Sequence, residues 1–372
     1  MPWYVTLIIF LLVFSLLVLV HEWGHFFMAR RFGIKVEEFG IGFPPRLGKL
    51  FKDKKGTTYT INALPLGGFV KLYGENTYDK RMLKSKQAFC QKTIPQRIAV
   101  VVAGVMMNFL LAWVLISIGF MIGMKPFLIN QQDVNWAVEQ GYFEGYGLYI
   151  TEIAPHSALE GLDLAEFSVI TQVDGQPFDS FEAFTQSLSP NQPLQLTIEE
   201  GQTELVQNFT VTPNEEGKLG VSLSFQPLLS SLKTVQYPVY QAPWQGLKET
   251  GRLSWATVRL FGGLIKDLVT QFEVGDNVGG PVAIFQETGR AAQRGWMDLL
   301  QFTALISISL GVINIMPIPA LDGGRLMFLI VEGITGKRPR PNYQGIVHLI
   351  GFVFLMGLII LVTWKDILRL IN

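Results

Sequence analysis

Apolar residues gather in four long runs with few polar interruptions: Trp3–Ala29, Ile98–Met124, Leu299–Ile318 and Ile346–Trp364. About 20 helical residues cross a hydrocarbon core, so each run predicts a transmembrane helix. No basic stretch precedes the first run and no small-residue cleavage site follows it, which separates it from a secretory signal. Its helical pattern continues through His21-Glu22-Trp23-Gly24-His25, so a retained span is expected. Leu321–Lys337, with its apolar Leu326–Val331 stretch, predicts a further helix buried against the bundle.

Between the first two spans the pattern turns to β. Val36–Leu50 and Thr57–Tyr73 read as strands: Tyr59, Ile61 and Ala63 alternate with polar residues, and Pro65-Leu66-Gly67-Gly68 breaks the run before Phe69-Val70-Lys71-Leu72. Two roles are open for it, a small sheet capping the bundle or an edge that accepts an extended peptide by strand addition. Residues 127–226 predict one α+β domain of ordinary size. Its order is a strand at Gly147–Ile153, a turn opening a short helix at Pro155–Leu162, and a strand and hairpin turn at Val169–Pro177. A helix at Phe181–Leu188 and strands at Leu194–Glu199 and Gln207–Thr212 follow. Trp244–Phe272 carries apolar residues at three- and four-residue steps and predicts an amphipathic helix, broken near Gly262-Gly263. Packing on the bundle and lying on the outer leaflet both suit it.

Composition agrees with a membrane protein. Of 372 residues, 49% are hydrophobic and 16% charged, where a soluble domain carries about 25% charge. Mean hydropathy is +0.32. Disordered, collagen-like, disulfide-scaffold and nucleic-acid-binding chains are excluded on this ground, and the single Cys90 can form no internal disulfide. The net charge of zero hides an asymmetry: Arg30–Arg97 holds 15 Lys/Arg and 5 Asp/Glu, Lys125–Gly295 holds 9 and 20. Basic loops stay in the cytoplasm, which places Arg30–Arg97 and Lys337–Arg340 inside and both termini and the acidic region outside. Lys365 and Arg369 run against that assignment but do not outweigh it.

His21 and His25, four apart on a helix, present both imidazoles on one face, and Glu22 stands beside them. That spacing suits two metal ligands with an adjacent general base. Three ionisable residues inside an apolar span are costly, and function is the default reading. A catalytic zinc takes a third protein ligand. His156 lies in the outer domain and His348 at the cytoplasmic start of the last span, so both are poor candidates. Asp322 is the better one, the only Asp within Gln301–Val331, preceded by Pro317 and Pro319 and followed by Gly323-Gly324. It could instead cap the helix that starts there. Arg325, one turn on, reads as an interface residue that snorkels, or as a support for Asp322. With Arg30 and Arg31 at the cytoplasmic interface, the two histidines lie roughly 8–13 Å inside the membrane.

His21-Glu22-x-x-His25 in the first span, Asn314-x-x-Pro317-x-Pro319-x-Leu321-Asp322-Gly323 and the outer domain together resemble a bacterial site-2 protease of the regulator-of-sigma-E protease group. Gly40-Ile41-Gly42-Phe43, Leu64–Phe69 and Ala103-Gly104-x-x-x-Asn108-Phe109 extend the likeness along nearly the whole chain. The strand–turn order of the outer region resembles a PDZ domain, departing from it at Asp163–Phe167. The resemblance implies a polytopic α-helical membrane protein with about four transmembrane helices, a small cytoplasmic membrane-associated β-sheet and one extracytoplasmic PDZ-like domain. There is room for one such domain where the best-known member has two.

The implied layout is a metal-bearing helix at 1–31, a cytoplasmic β-rich loop at 32–97 with a reentrant β-loop at 57–73, and a second span at 98–124. The PDZ-like domain at 127–226, an amphipathic linker at 227–297, a third span with the Asp-bearing segment at 298–337 and a fourth span at 345–366 complete it. The resemblance further implies Zn2+ on His21, His25 and Asp322, Glu22 as catalytic base, and substrate contacts at Asn314, Gly67, Gly68, Phe69 and Val70. The implied substrate is a single-pass membrane protein already shortened by an upstream site-1-type protease, of the anti-sigma-factor or signal-peptide-remnant type. The implied setting is lipid of the bacterial inner membrane, within a stress response. A PDZ-bearing scaffold or chaperone that does not cut, and a zinc protease acting on soluble or unfolded polypeptide, are the rival readings.

Overall fold

Long apolar runs become long helices, because only a helix satisfies its own backbone in a hydrocarbon medium. The computed structural model describes the chain except residues 76–84, 156, 163, 165–167, 201–205, 272–278, 339–340 and 372. In chain order the elements are α1 (Trp3–Arg31), β1 (Val36–Lys52), β2 (Thr58–Leu72), α2 (Ile94–Ile122), α3 (Gln131–Glu139), β3 (Tyr146–Ile153), β4 (Val169–Val173) and β5 (Gln176–Pro177). There follow α4 (Phe181–Ser187), β6 (Leu194–Glu199), β7 (Val206–Val211), β8 (Val221–Pro227), α5 (Ala242–Gln271), α6 (Pro281–Arg294), α7 (Trp296–Ile315), α8 (Asp322–Thr335) and α9 (Pro341–Ile371). They fall into two units, residues 1–122 with 236–372, and residues 123–235.

In the first unit, α1, α2, α7 and the Tyr343–Leu368 part of α9 are long and apolar enough to cross a membrane. The protein is polytopic. α2 is the hub and packs against α1, α5, α7 and α8. Two close approaches set its crossing with α1. A Cβ on Gly24 would come within 2.3 Å of the Ala103 carbonyl oxygen, and one on Gly104 within 2.4 Å of His25 Nε2. At one end of the bundle the buried Arg97 of α2 makes a two-pronged pair with Glu332 of α8, at 2.9 and 2.6 Å, and Arg338 adds a third bond to the same carboxylate. The three bonds to the carboxylate offset the desolvation of a buried pair, although the buried Arg97 Nε has no partner among the described residues.

Three differences from the expected helices have a local cause. α7 stops at Ile315 rather than Ile318, since Pro317 and Pro319 lack N–H donors and their rings clash with the preceding turn. α5 runs unbroken through Gly262-Gly263, where the sequence predicts a break, so the glycines weaken the helix without ending it. α2 starts four residues earlier than the apolar run, with Pro95 in its first turn, a position where a missing N–H costs nothing.

β1 and β2 form a bent sheet along α1. The first half of β1 is its centre: Phe39 pairs with both Val70 and Tyr59, Gly40 with Phe69 and Thr60, and Ile41 with Gly68 and Ile61. Phe26 of α1 meets the rings of Phe39 and Tyr59, and Arg30 lies over Phe26 and pairs with Asp53. Further along α1, Ser15 Oγ donates to the Pro65 carbonyl at 3.0 Å.

The second unit holds a six-stranded antiparallel sheet in the order β7-β6-β4-β3-β8, with β5 on β4. Leu148, Leu159, Ile170, Phe184, Leu196 and Ile198 fill its core. Pro155–Leu162 forms turns, with no helix among its described residues, which corrects the expected short helix. His156 and most of Asp163–Phe167 lie outside the described residues. α3 and β8 go beyond the expected elements. A capping box between Asn130 and Asp133 starts α3, and alternating Val221, Leu223 and Phe225 mark β8.

Candidate active site

His21 and His25 stand one helical turn apart on α1, and Asp322 is the first residue of α8. Packing of α1 and α8 against α2 brings the three side chains together across 301 residues of sequence. His21 Nε2 lies 2.9 Å and His25 Nε2 3.1 Å from Asp322 Oδ2, and the two Nε2 atoms are 3.1 Å apart. The Glu22 carboxylate joins the cluster, with ligand atoms of His21, Glu22 and His25 all within 4.8 Å of one another. Leu321 takes the N-cap position and Asp322 is already the first residue of α8, with its carboxylate against the two histidines.

The donor set fits a tetrahedral metal. Bonds of 2.0–2.1 Å to Zn2+ place neighbouring ligand atoms about 3.3 Å apart, close to the spacing seen. His25 Nδ1 lies 2.9 Å from the Val100 carbonyl, which can only accept, so Nδ1 holds a proton and Nε2 is the nitrogen left for a ligand. That nitrogen faces the Asp322 carboxylate, a spacing that a metal ion or a shared proton can bridge. On the other imidazole, Asn108 Nδ2 lies 3.3 Å from His21 Nδ1, while the buried Asn108 Oδ1 has no partner. A half-turn of that amide satisfies Oδ1, accepts the His21 Nδ1–H and frees His21 Nε2 for a ligand as well. Ser307 Oγ holds the Asn108 backbone carbonyl at 2.8 Å.

Two further groups close the surroundings. Arg325, one turn after Asp322, pairs with Glu75 just past the end of β2, so it is held in an ion pair and does not snorkel. His348 lies apart from the cluster, where its Nδ1 accepts the Ala320 N–H.

Of the residues expected to hold substrate, the glycines lie against α1 directly before the histidines. Gly67 has φ +80° and leaves no room for a side chain: its Cβ would come within 2.8 Å of Val18 Cγ1. A Cβ on Gly68 would meet the Gly40 carbonyl at 2.6 Å and Leu19 Cδ2 at 2.9 Å. Phe69 and Val70 follow on a strand segment that has β1 on one side and no partner on the other among the described residues. Asn314 is half-buried in the last turn of α7, and among the described residues no hydrogen bond engages its side chain. Gly24, Gly104 and Asn108 touch the site more closely than expected from the chain. Their signal was a polar Asn inside an apolar span, one turn after a small-residue pair.

The sequence model of peptidase family M50 matches residues 9–358. A Clostridium perfringens protein provisionally named a zinc metalloprotease is 36% identical over 366 residues, covering 96% of this chain and 97% of its own. The protease RseP of Yersinia pestis is 30% identical, with 98% of this chain and 99% of that protein covered. The zinc metalloprotease RasP of Shouchella clausii is 30% identical, with 99% and 100% covered. With four membrane-capable helices and a donor set that fits zinc, the chain belongs to peptidase family M50 and is a zinc metalloprotease of the site-2 type.

Proposed function

We propose that this enzyme hydrolyses peptide bonds in or beside the transmembrane segment of single-pass membrane proteins that an upstream site-1-type protease has already shortened. The observation that carries this reading is the convergence of His21, His25 and Asp322 within 3.1 Å, with Glu22 beside them, on helices of a membrane bundle. In this reading His21, His25 and Asp322 hold Zn2+. When bound, the ion acidifies water to a pKa near 7 and polarises the scissile carbonyl. Glu22 takes the water's proton on its carboxylate and passes it to the departing amide nitrogen. Asn314, whose side chain has no hydrogen bond among the described residues, donates one to the substrate backbone. A transmembrane helix must unwind before attack, and the open edge at Gly67–Val70 offers its backbone hydrogen bonds in exchange.

The basic loops favour a cytoplasmic location for the β1–β2 sheet and an extracytoplasmic one for residues 123–235 in a bacterial inner membrane. The strand order there supports a single PDZ-like domain. The RseP alignment runs over 452 positions against a chain of 372, leaving at least 80 opposite gaps, about the size of one more small domain. Anti-sigma-factor or signal-peptide remnants within a stress response are the substrate classes this reading expects.

The test is to purify a Glu22→Gln variant from membranes and identify the proteins that accumulate with it. Shortened single-pass proteins, cut in their membrane segment on restoring Glu22, support the proposal. Association with intact soluble polypeptides alone overturns it in favour of a protease working at the membrane face.

A further inference from the structure

Between α7 and α8 the chain reverses within Met316–Leu321; Pro317 and Pro319 offer no N–H, the Ile318 and Leu321 N–H groups bond within the turn, and the Ala320 N–H is left to a partner outside it. Ala320 adopts φ +77°, a left-handed conformation that L-residues rarely take. Asp322 stands two residues later, so the conformation of Ala320 aims the carboxylate.

The last span grips this turn at two points. His348 of α9 accepts the Ala320 N–H at Nδ1, 2.9 Å away. Gly351, three residues on and on the same face of α9, fits against Pro319 so closely that a Cβ would lie 2.4 Å from Pro319 Cβ and 2.5 Å from its carbonyl oxygen. Phe328 of α8 packs on the His348 ring, centroids 5.6 Å apart, and steadies its orientation. Elsewhere this part of α9 faces outward: Leu349, Ile350, Phe352 and Val353 are all more than half exposed. The imidazole is the acceptor the fold supplies to the Ala320 N–H, and so both satisfies and anchors it.

We propose that His348 is a positioning residue for the metal centre: by accepting the Ala320 N–H it holds the Pro317–Leu321 turn in the left-handed conformation that delivers Asp322 to His21 and His25. The inference rests on the reading of Asp322 as the third zinc ligand. His348 touches neither metal nor substrate, and acts through the backbone of a turn contributed by other helices.

The experiment measures zinc affinity of the metal-stripped, detergent-solubilised full chain by competition with a chromogenic chelator. His348→Phe keeps the ring contact with Phe328 and removes the acceptor; it should weaken zinc about tenfold, the lower range for loss of an outer partner of a metal ligand. His348→Asn, whose Oδ1 takes the place of Nδ1, should bind as the natural protein does. Adding Ala320→Gly to His348→Phe should recover most of the loss, because glycine adopts positive φ freely. Unchanged affinity in His348→Phe overturns the proposal, as does a loss that neither Asn nor Ala320→Gly relieves. Should His348→Phe fail to accumulate, its recovery in the Ala320→Gly background supports the clamp and its continued absence overturns it. Asp322→Ala separates the two readings: full zinc affinity there removes Asp322 as a ligand and the clamp with it, whereas a loss there beside normal His348→Phe removes the clamp alone.

Discussion

Gly104 lies so close to His25 that a Cβ at that position would come within 2.4 Å of the imidazole Nε2, and within 2.9 Å of His21 Nε2. Both imidazole Nε2 atoms are thus seated against bare backbone of α2. Gly104→Ala should push both rings out of register. A displacement near 1 Å costs about a hundredfold in rate, so cleavage should fall by about that factor with zinc content reduced. Elemental analysis and cleavage of a model transmembrane substrate check this, and full zinc with normal turnover would contradict the placement.

Asn108 should matter through His21. Replacing it by Leu removes the amide that fixes the ring's tautomer, and zinc affinity should drop about 10–100-fold. Its backbone contact with Ser307 survives the change, so membrane abundance should stay near normal. Metal titration against abundance separates the two effects.

The open edge beyond Gly68 makes a backbone prediction. If the Val70 N–H faces the substrate, Val70→Pro should impair cleavage while Val70→Ala, which trims only packing, does less. A purely structural strand predicts lower abundance of the proline variant with normal cleavage per molecule. Equal cleavage per molecule in both variants would remove this position as the substrate's partner.

Glu332 serves two guanidiniums at once, and its loss should be felt in stability. Glu332→Ala leaves the buried Arg97 unpaired, and breaking a buried pair from one side costs about 3–5 kcal/mol. Thermal melting in detergent should show a clear drop for Glu332→Ala and a smaller one when Arg97→Met accompanies it. A larger drop in the double variant would show that the pair itself is not the source.

Asp53 links acid sensitivity to the sheet. Partial burial acts to raise its carboxyl, but hydrogen bonds from Arg30 and from the Thr57 N–H, with the Arg30 charge, outweigh this and hold it below its ordinary value. A carboxyl lowered by folding contributes stability above its unfolded pKa of about 3.9, and that stability is lost as pH falls through the folded value. Hydrogen exchange in the Asp53–Thr57 turn should therefore accelerate relative to the rest of the sheet on strong acidification. Asp53→Asn should show the faster exchange already at neutral pH and little further change.

Much of the protein was legible in the chain because its signals are local. Twenty apolar residues in a row can only be buried in lipid or protein, so the four spans follow from composition along the sequence. The His21–Glu22–His25 face follows from helical spacing, and the β-like Thr58–Leu72 segment from alternation and glycine. Membership of a metalloprotease family rests on motifs of the same short range.

What sequence left undecided was distant pairing. Nothing local in Asp322 shows that it meets the histidines; the packing of α1 and α8 against α2 sets its carboxylate 2.9 Å from an imidazole 301 residues away. Arg325 reads as an interface residue until Glu75, supplied by the end of a strand, neutralises it. Gly104 and His348 show no chemistry of their own in one dimension, and Asn108 only the mark of a polar residue in an apolar span. Their roles come from what lies across the interface: a ring that needs empty space, a ring nitrogen that needs an acceptor, and a strained N–H that needs one too. Helix propensity and hydropathy act along the chain, whereas steric fit and hydrogen-bond satisfaction act between elements, so the tertiary structure alone decided how the site is supported.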